Sequence, residues 1–422
     1  MDATTLESLH SDWRYVWHPF TDASLWEQWG KEGEAAPHLV SGEGVYLWDS
    51  EGKRYFDGNS SIWTNIHGHS HPVLVAALQR QAGILAHSSY LGLGHPWGSE
   101  LARRLCQASG LERCFFSDNG STAVEVALRM ELQFRMQRGQ QKRRRFVSFD
   151  GSYHGDTLGA ASLGAVGRFF ESIAELGPEV TIVRSVEELL QLEGDDVAGV
   201  IIEPLIQGVN EMRPWPQGTL SALKDWCVAS GAHLILDEVM TGFGRTGSLF
   251  ACQQEGVVPD YLCLAKGITG GLMPLAATLT KNEIYESFRG SGNTFYYGHS
   301  YTANPLGCAV ALANLDLCEV EDFLPQVRKK GELMASFSDS WQALEVVKEV
   351  RRCGMVMGIE LKSFSTGRGI GESGKTLCRY LRNNGLLTRP ILDTVVWMPP
   401  LVSSEEELGE MAKIFDDSLS RL

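Results

Sequence analysis

His233-Leu-Ile-Leu-Asp237-Glu238, Gly242-Phe-Gly-Arg245-Thr-Gly247 and Tyr261-Leu-Cys-Leu-Ala-Lys266-Gly267 form the stretch on which the reading of this chain turns. The first and last pieces are short, branched, apolar runs bounded by turn residues, the pattern of buried strands. One ends in an acid and the other in a lysine. In open α/β sheets ligands bind outside the carboxyl ends of strands, so both side chains are expected at one site. Taken alone, an Asp or a Lys at a strand end is usually a solvated terminus or a salt-bridge partner. The pair, with glycines between and after it, points instead to an amine nucleophile with an acid nearby.

The text around the pair is more specific. Leu234-Ile-Leu-Asp-Glu-Val-Met-Thr-Gly-Phe-Gly-Arg-Thr-Gly247, Pro259-Asp260 and Leu264-Ala-Lys-Gly-Ile-Thr-Gly-Gly271 resemble the class III aminotransferases of the fold-type I pyridoxal-phosphate enzymes. The resemblance extends over nearly the whole chain. It implies an α/β fold-type I PLP-dependent transferase: a large domain on a mostly parallel mixed sheet, plus a small α/β domain. The implied division is 1–65 for an N-terminal arm and part of the small domain, 66–314 for the large cofactor-binding domain, and 315–422 for the C-terminal small domain. Pyridoxal 5'-phosphate is the implied cofactor, with Lys266 bonded to its aldehyde and Asp237 opposite its pyridine nitrogen.

Composition agrees with a soluble enzyme. The 422 residues are 43% hydrophobic and 21% charged, ordinary for a globular chain and long enough for two cores. A net charge of −15 argues against a nucleic-acid surface. Nine scattered cysteines, odd in number and without a C-x-x-C pair, favour reduced thiols and a cytoplasmic location. Met1-Asp-Ala-Thr-Thr-Leu-Glu7 shows no basic region followed by an apolar one, so no signal peptide is expected. No apolar run is long enough to span a membrane.

Residues 1–30 are aromatic-rich, with Trp13, Tyr15, Trp17, Phe20, Trp26 and Trp29, and such residues usually pack. Trp17-His18-Pro19-Phe20-Thr21 nevertheless resembles the N-terminal motif of the class III branch that makes 7,8-diaminononanoate for biotin synthesis. That branch usually has Tyr in place of Phe20, and a second Trp in place of Ile62 before Trp63. Gly44 to Gly58 alternates around a Ser-Glu-Gly turn and predicts a hairpin. His67, His69 and His71 could suggest a metal, but no second ligand cluster is visible and the adjoining Gly and Pro favour a turn; no metal is expected.

Phe115-Phe-Ser-Asp-Asn-Gly120-Ser121-Thr122 precedes an amphipathic pattern from Ala123 to about Arg138. A strand, a Gly-Ser turn and a helix start make a recurrent anion site, though a plain Ser/Thr N-cap reads the same way. The resemblance implies that Gly120 and Ser121 hold the cofactor phosphate. The Lys142-Arg-Arg-Arg145 run beyond this helix is expected to be a solvated end favoured by the helix dipole. The resemblance also places the Tyr153 ring on the pyridine face and lets Ser300 reach the phosphate of a partner's cofactor, in a homodimer with a shared active site. It sets Trp63, Tyr153, Lys266 and Arg389 around the substrate, with Arg389 pairing a carboxylate, a bidentate task. Glu203, ending the Ala198–Ile202 run, is expected as a pocket neighbour. The loop between about Gly164 and Ile182 is shorter than is common in the family.

The implied reaction moves an amino group, from S-adenosylmethionine or alternatively lysine, onto 8-amino-7-oxononanoate. An ω-amino acid transaminase or aminomutase, or a cofactor-free binding protein, stand as alternatives. Gly242-x-Gly-x-x-Gly247 also matches the dinucleotide fingerprint, but only weakly, since no crossover helix clearly follows it. A nicotinamide enzyme would lack a yellow, borohydride-reducible chromophore.

Overall fold

The computed structural model describes residues 11–32, 37–166, 176–363 and 371–422. Residues 1–7 of the expected leaderless start, the side chains of Trp13 and Trp29, and positions 167–175 of the loop after Gly164 lie outside the described residues.

Seven strands form the central sheet: β1 Arg113–Ser117, β2 Arg145–Phe149, β3 Val180–Val183, β4 Val197–Ile202, β5 His233–Asp237, β6 Tyr261–Leu264 and β7 Ala276–Thr280. Their spatial order is β1-β7-β6-β5-β4-β2-β3. β7 runs antiparallel to both neighbours and the other pairs are parallel. Every residue of β4, β6 and β7 is buried. For β4 and β6 that burial explains the continuous apolar runs: a strand covered on both faces has no polar face to alternate with. Helix α1, Gly120–Gln137, crosses from β1 to β2 and buries Ala123, Val124, Ala127 and Phe134 against the sheet. Each such side chain contributes about 1.5–3 kcal/mol when it is of Val or Phe size.

The predicted hairpin forms, with Tyr46–Asp49 antiparallel to Arg54–Asp57. Its second strand then pairs in parallel with Leu386–Leu387, so the beginning and end of the chain share one four-stranded sheet. A second four-stranded sheet joins Val347–Cys353, Val356–Leu361, Thr394–Trp397 and Pro390–Ile391. Helices Phe323–Gln342, Glu372–Asn383 and Glu405–Leu419 accompany these sheets. The molecule is thus mixed α/β with a large and a small layered part. Helix α2, Pro305–Cys318, runs through residues 314 and 315, so a division there would cut an element.

The basic run after α1 departs from expectation. Arg143 donates to the carbonyls of Gly194, Val197 and Ser230, and Arg145 pairs with Asp196 at 2.8 Å. These guanidiniums tie the starts of strands together, because backbone carbonyls there need donors; only Lys142 and Arg144 of the run are exposed. No helix among the described residues is long and apolar enough to cross a membrane.

Candidate active site

β1, β2, β4, β5 and β6 point the same way, so the residues after their carboxyl ends meet at one edge of the sheet. There they line a cavity of about 910 Å³. The β5–β6 register sets Asp237 beside Cys263, which brings the acid close to Lys266 just past the end of β6. Asn119, Gly120 and Ser121 follow β1; Tyr153, His154 and Asp156 follow β2; Glu203 follows β4; all line the same cavity. Trp63, Ile62, Phe20 and Arg389 close it from the small-domain side. Arg389 stands immediately before the strand Pro390–Ile391 rather than within one. Every proposed site residue except Ser300 is therefore in one place. Ser300 is exposed, on a turn outside the cavity.

Lys266 opens a short 3₁₀ turn, Lys266–Thr269, with φ of 45°. Its Nζ lies 4.5 Å from the centre of the Trp63 ring. Burial lowers its pKa to about 8, against the pull of Asp237, Glu203 and Asp156. Roughly a tenth of the amine is then uncharged at pH 7, far more than for an ordinary lysine, and that share can serve as a nucleophile or base.

Asp237 is buried, and its carboxylate accepts from His154 Nδ1 at 2.8 Å and from Val239 N–H at 3.1 Å. His154 is itself buried, and its Nε2 has no hydrogen-bond partner among the described residues. Its role could not be read from spacing, since its partner is 83 positions away. The neighbouring Glu238 serves a different purpose. It accepts from the amides of Ala251 and Cys252 and holds the glycine turn in place. Beyond that turn lies only the 3₁₀ segment Ala251–Glu255, not the crossover helix a dinucleotide site needs.

At the start of α1 the cap is Asn119, whose side chain accepts from Thr122 N–H in a capping box. Ser121 is left free of capping, and its Oγ accepts from Asp156 N–H at 3.0 Å. The first amides of the helix have no intrahelical carbonyl and sit at the positive end of its dipole. Backbone packs closely here: a Cβ on Gly120 would lie 2.6 Å from Val239, and one on Gly155 2.2 Å from Ser121 Oγ. The cradle suits a phosphate-sized anion.

Tyr153 donates its hydroxyl to Asp156 at 2.7 Å and its amide to Glu203 at 3.2 Å. Burial first, then Asp156, pushes its phenol pKa up, so it stays protonated. Glu203 also accepts from Gly208 N–H; burial raises its carboxyl to about 7. The histidine turn divides as a structural element. His69 pairs with Asp57 at 2.8 Å and His67 Nε2 lies 3.6 Å from Cys318 Sγ. No group of three metal-type ligands occurs among the described residues.

Comparison with known proteins adds to this geometry. The aminotransferase class-III family matches residues 31–419. The adenosylmethionine-8-amino-7-oxononanoate aminotransferase of Geobacter sulfurreducens is 40% identical over 97% of this chain and 96% of its own length. The crystal structure of the enzyme of that name from Methanocaldococcus jannaschii superposes with a TM-score of 0.94 at 34% identity, covering 100% of this chain and 99% of that one. An amine transaminase from an uncultivated Pseudomonas species, solved in its PLP-bound form, gives 0.88 at 29% identity, covering 97% and 99%.

Proposed function

This chain belongs to the class III aminotransferases, and from that premise we propose that it transfers an amino group from S-adenosylmethionine to 8-amino-7-oxononanoate, giving 7,8-diaminononanoate in biotin biosynthesis. The observation that carries the reading is the meeting of Lys266, Asp237 and Arg389 in one largely apolar cavity, in a chain similar over its length to enzymes of that name.

The residues present fit pyridoxal 5'-phosphate. Gly120 and Ser121 would hold the phosphate at the start of α1, Asp237 the pyridine nitrogen, Tyr153 the ring face, and Lys266 the aldehyde carbon. When bound, the cofactor supplies a carbonyl that links to amines and a ring that accepts the electron pair released at a neighbouring carbon. The protein supplies the rest. Lys266 Nζ, with its lowered pKa, would take the proton from the donor carbon and hand it on to the cofactor's former carbonyl carbon, on the far side of the shared nitrogen. Asp237, held by His154, would face the pyridine nitrogen. Arg389 lines the cavity and has no ion-pair partner among the described residues, so its fork is open to a substrate carboxylate. Trp63, Ile62 and Phe20 line the same space and offer an apolar wall to a methylene chain.

A half-reaction tests the reading. S-adenosylmethionine is expected to bleach the yellow enzyme, and 8-amino-7-oxononanoate to restore the colour. Phe20 and Ile62 replace a more polar and a larger residue of the branch, which favours lysine as the second candidate donor. Bleaching by lysine alone would reassign the donor. Bleaching by neither, with rapid bleaching by an ω-amino acid, would remove the biotin assignment.

The reading includes a homodimer. Ser300, exposed on the single chain, would reach the phosphate site of the partner subunit. A hydrogen bond to a charged group contributes about 1.5–3 kcal/mol. Ser300→Ala is therefore expected to weaken cofactor affinity about tenfold or more, measured by equilibrium dialysis. Unchanged affinity, or a fully active monomer at high dilution, would refute the shared site.

A further inference from the structure

Ser60, Ser61, Ile62 and Trp63 have φ of 46°, 47°, 64° and 68°. With ψ of 55° at Ser61 and 53° at Ile62, they form one turn of left-handed helix. Trp63 N–H donates to Asn59 O and Thr64 N–H to Ser60 O, each at 2.9 Å. L-residues enter this conformation singly, through Gly or Asn; a run of four that includes a β-branched residue persists only when its surroundings hold it.

The clamps are visible. Asp57 accepts from Ser61 N–H at 2.9 Å and Ser61 Oγ at 2.8 Å, and is itself paired with His69. Ser60 Oγ donates to Met398 O at 2.6 Å and accepts from the buried Arg245 at 3.2 Å. Arg245 also donates to Asn65 O and Pro399 O. The result is that Ile62 faces the cavity and the Trp63 ring covers the Lys266 amine. The indole N–H is tied back to Asn59 Oδ1 at 2.8 Å. Asn59 and Asp57 are buried and do not line the cavity.

We propose that this left-handed turn is a positioning device, and that Asn59, acting through the Trp63 indole, keeps water from the Lys266 amine and so sets its proton affinity. The inference rests on Lys266 being the reacting amine. The groups facing that amine are the Trp63 ring and the carboxylates of Asp237, Glu203 and Asp156, with His154 bound to Asp237 and Arg389 in the same cavity. The carboxylates favour the charged amine; burial opposes them and is the larger effect. Releasing the ring admits water, so the pKa of Lys266 should rise.

The experiment uses the full-length chain freed of cofactor. Acetic anhydride labelling of Lys266 is followed against pH by peptide mass spectrometry. In Asn59→Ala the labelling midpoint should move up by roughly one unit, and in the loaded enzyme kcat should fall more than KM rises. Trp63→Phe, which keeps a ring but lacks the indole N–H, should shift the midpoint the same way without disturbing Asn59. In the double variant the Asn59→Ala effect should largely vanish, because the bond it removes is already gone. An unchanged midpoint in Trp63→Phe, or an Asn59→Ala shift undiminished in the Trp63→Phe background, would overturn the proposal. The labelling needs no amino donor, so failure of the half-reaction would sink the proposed function without touching this result.

Discussion

Lys266→Ala should lose turnover by several orders of magnitude, roughly 10⁴-fold, while retaining at most non-covalently held cofactor. Two tasks leave together: the covalent hold on the aldehyde and the proton transfer beside it. The structure adds a reason why no neighbour would replace it. The other titratable groups facing this amine are carboxylates, Asp237, Glu203 and Asp156. Asp237 is occupied by His154 and Val239, Glu203 by two backbone amides, and Asp156 by the Tyr153 hydroxyl. Borohydride reduction followed by peptide mapping checks the assignment directly. A trapped peptide carrying another lysine would remove Lys266 from its role, as would a Lys266→Ala enzyme with turnover within tenfold of the parent.

Asp237→Asn should slow turnover about a hundredfold or more. The substitution keeps the shape but removes the charge that would balance a protonated pyridine. It also disturbs the support behind the site. The carboxylate accepts from two donors, His154 Nδ1–H at one oxygen and Val239 N–H at the other. An amide has one acceptor oxygen, so one of those donors would face an NH₂ group. In a buried site that mismatch is costly. The effect should appear in kcat with little change in phosphate binding, since Gly120 and Ser121 are untouched. Single-turnover kinetics with the amino donor read it out; near-native turnover would refute the role.

Lys266 and Asp237 are legible in the amino-acid sequence because their signals are local. Short branched runs bounded by glycine mark β5 and β6, and the residue at each carboxyl end is known once the strand is. The hairpin near residue 50 and the helix after Gly120 follow from the same kind of local pattern. Where local pattern meets a tertiary demand, it misleads. Lys142–Arg145 reads as a solvated basic end, yet Arg143 and Arg145 hold strand carbonyls and Asp196. A Ser/Thr cap is the plain local reading of the turn before α1, yet the cap is Asn119.

By itself, then, the chain determined an α/β architecture, the acid and the lysine at two strand ends, and a Gly-Ser turn before a helix. Each depends on residues within a few positions of one another. Tertiary structure alone decided that His154 backs Asp237, that Phe20 and Arg389 close the same cavity from opposite ends of the chain, and that Ser60–Trp63 winds left-handed beneath Arg245. None of these leaves a periodic trace. The first follows from which strands lie side by side, and the place of Arg389 from the parallel pairing of Phe56 with Leu386. The third requires a conformation that local preference opposes and that only buried partners from distant segments can hold.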